Sequence, residues 1–302
     1  MIFRLHHATR YGYGSTVDLA SHILHLSPRE FAHQRVLSST IVSDPQPARR
    51  TNGTDHFGNG VTWLFLERPH TGFSVICEAV VDVHFPAPPE AGATPAWEEV
   101  ARLAREGRAS SQHEDAAAWQ AAEFVFDSPM LPHEPLASDY ASATFTPGRP
   151  VLEALLELNT RIRRDFTFRA GVTTISTPVR EVMAKREGVC QDFSHLMIAA
   201  LRGLGLPARY VSGYIRTRPR PGTTRLRGAD QSHAWVGCWL GPDHGWVDLD
   251  PTNGLVVHEE HVVLGWGRDY GDVSPVRGII LGGGSHGLSV SVDLEPEGES
   301  AR

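Results

Sequence analysis

Cysteine is scarce in this chain. Cys77, Cys190 and Cys238 are the only three in 302 residues. Their odd number and lack of paired spacing argue against a disulfide framework and leave room for a reactive thiol. Long apolar runs are missing too: no window approaches about eighteen uninterrupted apolar residues, which argues against a membrane-spanning helix. The opening MIFRLHHATRYGYG carries charge and histidine where a secretory leader needs an apolar stretch, so the expected location is the cytoplasm. There is no excess of basic charge. The net charge is −7 with pI near 6.1, and Lys and Arg are dispersed except in RTRPRPGTTRLR, Arg216 to Arg227. Nucleic acid is therefore not the expected partner. What is present is ordinary globular usage, 41% hydrophobic and 21% charged, in a chain long enough for two domains or one domain with a sizeable extension.

Residues 1 to 90 read as β structure. FRLHHATRYGYG, VDLASHILHLSP, VLSSTIVSDP, GVTWLFLERP and GFSVICEAVVDVHFP are strand-length runs punctuated by Gly, Pro, Asn and Asp. A β-sandwich-like N-terminal domain fits this pattern. Its adjacent His6 and His7 point to opposite faces of a strand, so they are not expected to chelate one ion together. PAPPEAGATPAWEE, from Pro86 to Glu99, is a Pro/Ala-rich connector into a second part, residues 91–302. There the period becomes helical in AWEEVARLAREG, EDAAAWQAAEFVFD, PVLEALLELNTRIRRDF and TPVREVMAKRE, with Thr177 and Pro178 as a helix-start signal. After Gly205 it returns to two, in ARYVSGYI, SHAWVGCWL, GWVDLDP, HVVLGWG, VRGIIL and LSVSVDLEP. Helices followed by a largely antiparallel sheet make the fold class α+β.

One helix can be argued residue by residue. Phe193, Leu196, Met197, Ala200, Leu201 and Leu204 form a single apolar stripe, Gly205 supplies a left-handed stop, and Pro207 prevents continuation. The helix runs from about Cys190 to Leu204, which puts Cys190 in its first turn. Free backbone N–H groups and the helix dipole there favour a thiolate and an oxyanion. A buried, chemically inert cysteine is the competing reading. A thiol nucleophile also needs a base and a group to orient it. Alternation places His233, Trp235, Gly237 and Trp239 on one strand face and Cys238 on the other, a core position. On the next strand Trp246, Asp248 and Asp250 share a face, so period alone does not choose between the two aspartates.

These segments resemble the transglutaminase-like superfamily, in its bacterial branch with a β-rich N-terminal region. GVCQDFSHLMIAALRGLGLPARYVSGYI is similar to that family's nucleophile segment, SHAWVGCWL to its histidine segment and GWVDLDPTNG to its acid segment, in the family's order. TDHFGNGVTWLFLERPH and GRDYGDVSPVRG extend the likeness over nearly the whole chain. The resemblance implies a papain-like α+β core with the nucleophile helix on an antiparallel sheet. It implies Cys190 as nucleophile, His233 as base and Asp250 as the orienting acid, since the family's acid lies four residues after the tryptophan. It further implies an acyl-enzyme formed on a peptide or protein amide, ending in hydrolysis or in transamidation. Gln191 and Trp235 are candidate oxyanion donors, and Asp192, Tyr214, Asp269 and Tyr270 candidate substrate-lining residues. Animal members depend on calcium, but no D-x-[DN]-x-[DN]-G loop is present, so no metal or other cofactor is expected.

Two readings from other classes compete. Cys190, His195 and His233 with a carboxylate are zinc ligands in kind, although Cys190 and His195 fall roughly 140° apart around a helix. The other is a catalytically silent binding module that keeps the fold.

Overall fold

A computed structural model of the chain describes residues 1–106, 120–217 and 231–297. Most of the basic stretch from Arg216 to Arg227, and the first half of the helix expected at 114–127, lie outside the described residues.

The N-terminal part is organised around one long strand, β1 (Ile2–Leu24), which kinks between Gly12 and Val17. Along one edge run β4 (Gly60–Leu66) and β5 (His70–Val83); β3 (Arg49–Thr54) pairs with β4 and β2 (Gln34–Asp44) with β5. β13 (Val276–Gly282) and β14 (His286–Pro296) run antiparallel along the other edge. Both flanking runs break level with the kink, so a single seven-stranded sheet bends over its own core of Val17, Leu24, Leu64, Phe73, Val75 and Cys77. The packing is sandwich-like although the sheet is one. VRGIIL and LSVSVDLEP, read from sequence as part of the second region's sheet, belong here instead. A boundary at residue 90 therefore separates strands that the fold pairs. Alternation marks a strand but does not name its partner.

The second part is a five-stranded antiparallel sheet in the order β11-β10-β9-β8-β12. Its strands are β8 (Ala208–Ile215), β9 (Gln231–Trp239), β10 (Trp246–Asp250), β11 (Leu255–Val256) and β12 (His261–Gly267). Helix α1 (Trp97–Glu106) packs on α3 (Val151–Asp165), while α2 (Pro135–Ser142), α3 and α4 (Val179–Lys185) pack on α5 (Cys190–Gly203), which lies on the sheet. Thr177 does not cap α4. Pro178 takes that position, while the Thr177 hydroxyl holds the preceding turn through the Thr174 N–H. α5 is buried all round from Asp192 to Arg202, so it is the core helix of the domain rather than a one-faced surface helix. Its C-terminus matches the sequence signals, with Gly205 at φ +80°.

The two parts share a core in which Phe3 and Leu5 of β1 and Leu294 of β14 meet Tyr214, Val262 and Leu264 from the back of the five-stranded sheet. No helix among the described residues is long and apolar enough to cross a membrane.

Candidate active site

The approach to α5 fixes where its first side chain points. β6 (Thr167–Phe168) and β7 (Glu187–Gly188) form a short parallel ladder that delivers Val189 in extended conformation as the residue before the helix. Asp192 is buried, and its Oδ2 accepts the Val189 N–H at 2.8 Å and the Thr173 hydroxyl at 2.7 Å. Burial raises its carboxyl pKa and these two donors oppose the rise. Gly188 is required beside it, because a Cβ there would stand 2.8 Å from Asp192 Oδ2. Asp192 is thus a cap that sets the first turn, not a wall of the cleft. The half-buried Cys190 follows directly, among first-turn N–H groups that helix geometry leaves without intrahelical partners.

His233, on β9, is brought to Cys190 and to the end of β10. Its Nε2 lies 2.7 Å from Asp250 Oδ2, and its ring lines the same cleft as the Cys190 side chain, near enough for the sulfur to raise the imidazole pKa. With Nε2 committed to the carboxylate, Nδ1 is the nitrogen left for sulfur. Burial on its own lowers the imidazole pKa, but the bond to Asp250 and the nearby Cys190 sulfur outweigh it and lift the value to about 10. Asp250 is wholly buried. Its Oδ1 accepts the N–H groups of Thr252 (2.9 Å) and Asn253 (3.1 Å), and its Oδ2 also accepts Asn253 Nδ2 at 2.6 Å. Burial raises this carboxyl and the ring of donors overcomes it, holding Asp250 below the usual carboxylate range. Asp248, on the same strand face, enters a different network: its Oδ2 accepts the Trp235 indole N–H at 3.0 Å and its Oδ1 lies 3.7 Å from Arg209. Strand period left the two aspartates equivalent, and their partners separate them.

The remaining sequence candidates divide. Gln191 and Tyr270 line a cleft of about 260 Å³ that also holds Cys190 and His233. Gln191 Nε2 donates to the Ile175 carbonyl at 3.0 Å, and the Tyr270 hydroxyl accepts from Ser274 at 3.3 Å. Three others are corrected. Trp235 is fully buried with its N–H spent on Asp248, so it is not an oxyanion donor. Tyr214 is sealed in the core between the two parts, its hydroxyl 2.5 Å from His7 Nδ1. Asp269 is buried and accepts the N–H groups of Met130 (2.9 Å) and Gly271 (2.8 Å), which makes it a turn-holding residue. A larger cavity, about 800 Å³ beside Arg29 and Trp266, contains none of the reactive groups, so the smaller cleft is the candidate site.

His195 is also engaged elsewhere. Its buried Nε2 accepts the Tyr270 N–H at 3.2 Å and burial pushes its pKa down to about 4, which removes it from a set with Cys190 and His233. The donor atoms of His233, Asp250 and His261 do lie within 4.8 Å of one another, a zinc ligand set in kind. The 2.7 Å approach of His233 to Asp250, however, is a hydrogen-bond length with a proton between the atoms. His261, on β12, is a residue that no sequence signal marked. It is buried, with Nε2 3.5 Å from Asp250 Oδ2 and its ring edge-on to Trp235 at 5.3 Å. His7 and Thr9 of β1 were missed as well; both line the cleft, and His7 Nε2 lies 2.9 Å from the Thr9 hydroxyl.

Comparison with known proteins gives the family and the fold. Residues 3–82 match the model for the bacterial transglutaminase-like N-terminal region, and residues 138–251 that for the transglutaminase-like superfamily. An uncharacterized protein of Mycobacterium tuberculosis is 39% identical over 306 aligned residues, covering 99% of this chain and 94% of the relative. A protein-glutamine gamma-glutamyltransferase of Pseudomonas aeruginosa is 40% identical over 68 residues, 22% of this chain and 10% of that protein. Among solved structures, a candidate cysteine protease from Cytophaga hutchinsonii has the same fold, with TM-score 0.72 at 21% identity, covering 100% of this chain and 93% of that one. The chain belongs to the transglutaminase-like superfamily, with a bacterial transglutaminase-like N-terminal region at its start.

Proposed function

We propose that the protein is a thiol-dependent acyl-transfer enzyme acting on peptide or isopeptide amides, with hydrolysis as its main outcome. The observation that carries this reading is the convergence of Cys190 and His233 on one cleft, with His233 bonded to Asp250, the sulfur open to the cleft and the carboxylate buried beneath. In the reaction, the Cys190 thiolate attacks the amide carbonyl while His233 stands as imidazolium. The first-turn N–H groups of α5 stabilise the oxyanion. As the C–N bond breaks, His233 protonates the leaving amine and an acyl-thioester remains on Cys190. Neutral His233 then takes a proton from water, the resulting hydroxide adds to the thioester, and the C–S bond breaks to release the acid and restore the Cys190 thiolate beside the imidazolium. Asp250 keeps the ring in register and stabilises its charge.

A second reading, transamidation, uses the same intermediate with an amine in place of water. Among the described residues the cleft lining has no Asp or Glu to hold an incoming ammonium group, which favours water. Free Cys77, Cys190 and Cys238 suit the cytoplasmic placement expected from sequence. The test is release of amine from a panel of peptide amides by wild type and Cys190→Ala, with and without added primary amine. Turnover that survives Cys190→Ala refutes the mechanism, and incorporation of the added amine in preference to hydrolysis selects transamidation.

A further inference from the structure

The cleft has two walls of different origin. Val189, Cys190, Tyr210 and His233 come from the catalytic part, whereas His7, Thr9 and Tyr11 of β1 and Leu288 and Val290 of β14 come from the N-terminal sheet. Antiparallel pairing sets the second wall in rungs: Leu5 opposite Leu294, His7 opposite Val292, Thr9 opposite Val290, Tyr11 opposite Leu288. Paired residues share a face, and residues two apart along a strand share it too. Leu5, Val292 and Leu294 therefore lie on the same face as Val290 and Leu288.

Along this face the burial changes abruptly. Leu294 and Val292 are 0% and 1% exposed, packed in the core shared with the catalytic sheet, but Val290 and Leu288, one and two rungs further, are 50% and 57% exposed. The apolar stripe continues past the edge of its protein partner and into the cavity that contains the nucleophile. Isolated exposed apolar residues need no explanation, but a stripe that runs from a closed interface into a reactive cleft is an interface with one side missing. The polar members of the wall present no net charge. Burial pushes His7 down to about 4, so it is neutral, and its two ring nitrogens are occupied by Tyr214 and Thr9. Among the described residues no Asp, Glu, Lys or Arg lines the cleft.

We infer that the β1/β14 wall is the acyl-side substrate subsite, and that it takes an uncharged apolar or aromatic side chain next to the scissile amide. This rests on the acyl-transfer reading and adds the substrate class to it. A charged side chain seated there would lose its hydration without gaining an opposite charge.

The test uses acetyl-aminoacyl chloromethyl ketones carrying leucine, phenylalanine, glutamate or lysine. In each, the thiolate displaces chloride to form a thioether at Cys190. The rate of labelling of Cys190 is divided by the rate with iodoacetamide in the same protein. For the wild type the leucine and phenylalanine reagents should exceed the glutamate and lysine reagents by about tenfold or more. In Leu288→Glu and Val290→Lys, both at exposed positions, that ratio should collapse towards one. Equal normalised rates in the wild type, or a ratio unchanged in both variants, overturn the inference while leaving a reactive Cys190 in place. If iodoacetamide labels Cys190 no faster than Cys77 and Cys238, the acyl-transfer reading itself fails and the subsite falls with it.

Discussion

Replacing Asp250 by asparagine keeps the shape of the site and removes its charge. The backbone N–H groups of Thr252 and Asn253 require an oxygen at the Oδ1 position, so the new amide nitrogen takes the Oδ2 position and faces His233 Nε2 and Asn253 Nδ2. Both neighbours are donors in the wild type. To accept from the amide, His233 must carry its proton on Nδ1, the nitrogen that serves the thiol, and the ring can then no longer take a proton from sulfur. The charge state moves in the same direction. An imidazole lifted to about 10 is cationic in nearly every molecule at pH 7.5, whereas one near the ordinary 6.5 is cationic in about one molecule in ten. Protonation alone therefore costs about tenfold, and the wrong tautomer adds to it; the same acid-to-amide change in a serine triad costs about 10⁴. The assay is the second-order rate of Cys190 alkylation from pH 5 to pH 9, with circular dichroism as a check of folding. The variant should be at least about tenfold slower than wild type at pH 7.5. A folded variant that tracks the wild-type rate within a factor of about two across the range would refute both the imidazolium and the steering role of Asp250.

Trp235→Phe removes the indole N–H that Asp248 Oδ2 accepts in a buried site, so stability should fall by about 1–3 kcal/mol in urea unfolding with Cys190 reactivity retained; a loss of turnover of about a hundredfold at unchanged stability would restore Trp235 as an oxyanion donor. Gly188→Ala drives a methyl group into Asp192, and should lower both Tm and the rate of Cys190 labelling, by about 1–3 kcal/mol in stability; normal values for both would show that the cap does not set the first turn. The folded state holds a proton on His233 that the unfolded chain lacks between about 6.5 and about 10, so this contribution to stability is complete below about 6.5 and disappears as pH rises through about 10. In Asp250→Asn the alkaline decline should shrink, as read from urea midpoints between pH 6 and pH 10, and an identical decline would assign it to other groups. Under limiting iodoacetamide only Cys190 should react, because Cys238 is buried and Cys77 is both buried, its pKa pushed up to about 12, and bonded to the Leu26 carbonyl at 3.1 Å; peptide mapping that finds Cys77 or Cys238 labelled in folded protein contradicts this.

Much of the second part was legible because its signals are local. The apolar stripe from Phe193 to Leu204 with Gly205 and Pro207 defines α5, and with it the helical setting of Cys190. Alternation put His233 and Trp235 on one face but carried no information about partners. Those partners lie 13 to 17 positions away, and the choice of Asp250 came from the family resemblance. Contacts between distant segments were not legible. His7 reaches Tyr214 across 207 positions, and β14 pairs with β1 from the opposite end of the chain. A tyrosine beside a glycine reads as a possible cleft residue until the sheet that covers it is known. His261 went unnoticed because a histidine in an apolar strand has no pattern of its own, and only the fold carries its ring to the back of Asp250.

Intact-protein mass spectrometry after mixing with an activated acyl ester tests the central claim most directly. One acyl group should appear on the wild type, map to Cys190 and decay in water, and it should be absent from Cys190→Ala and much slower to form in His233→Ala. An acyl group that forms equally well without the sulfur of residue 190, or none on a folded wild type, would contradict it.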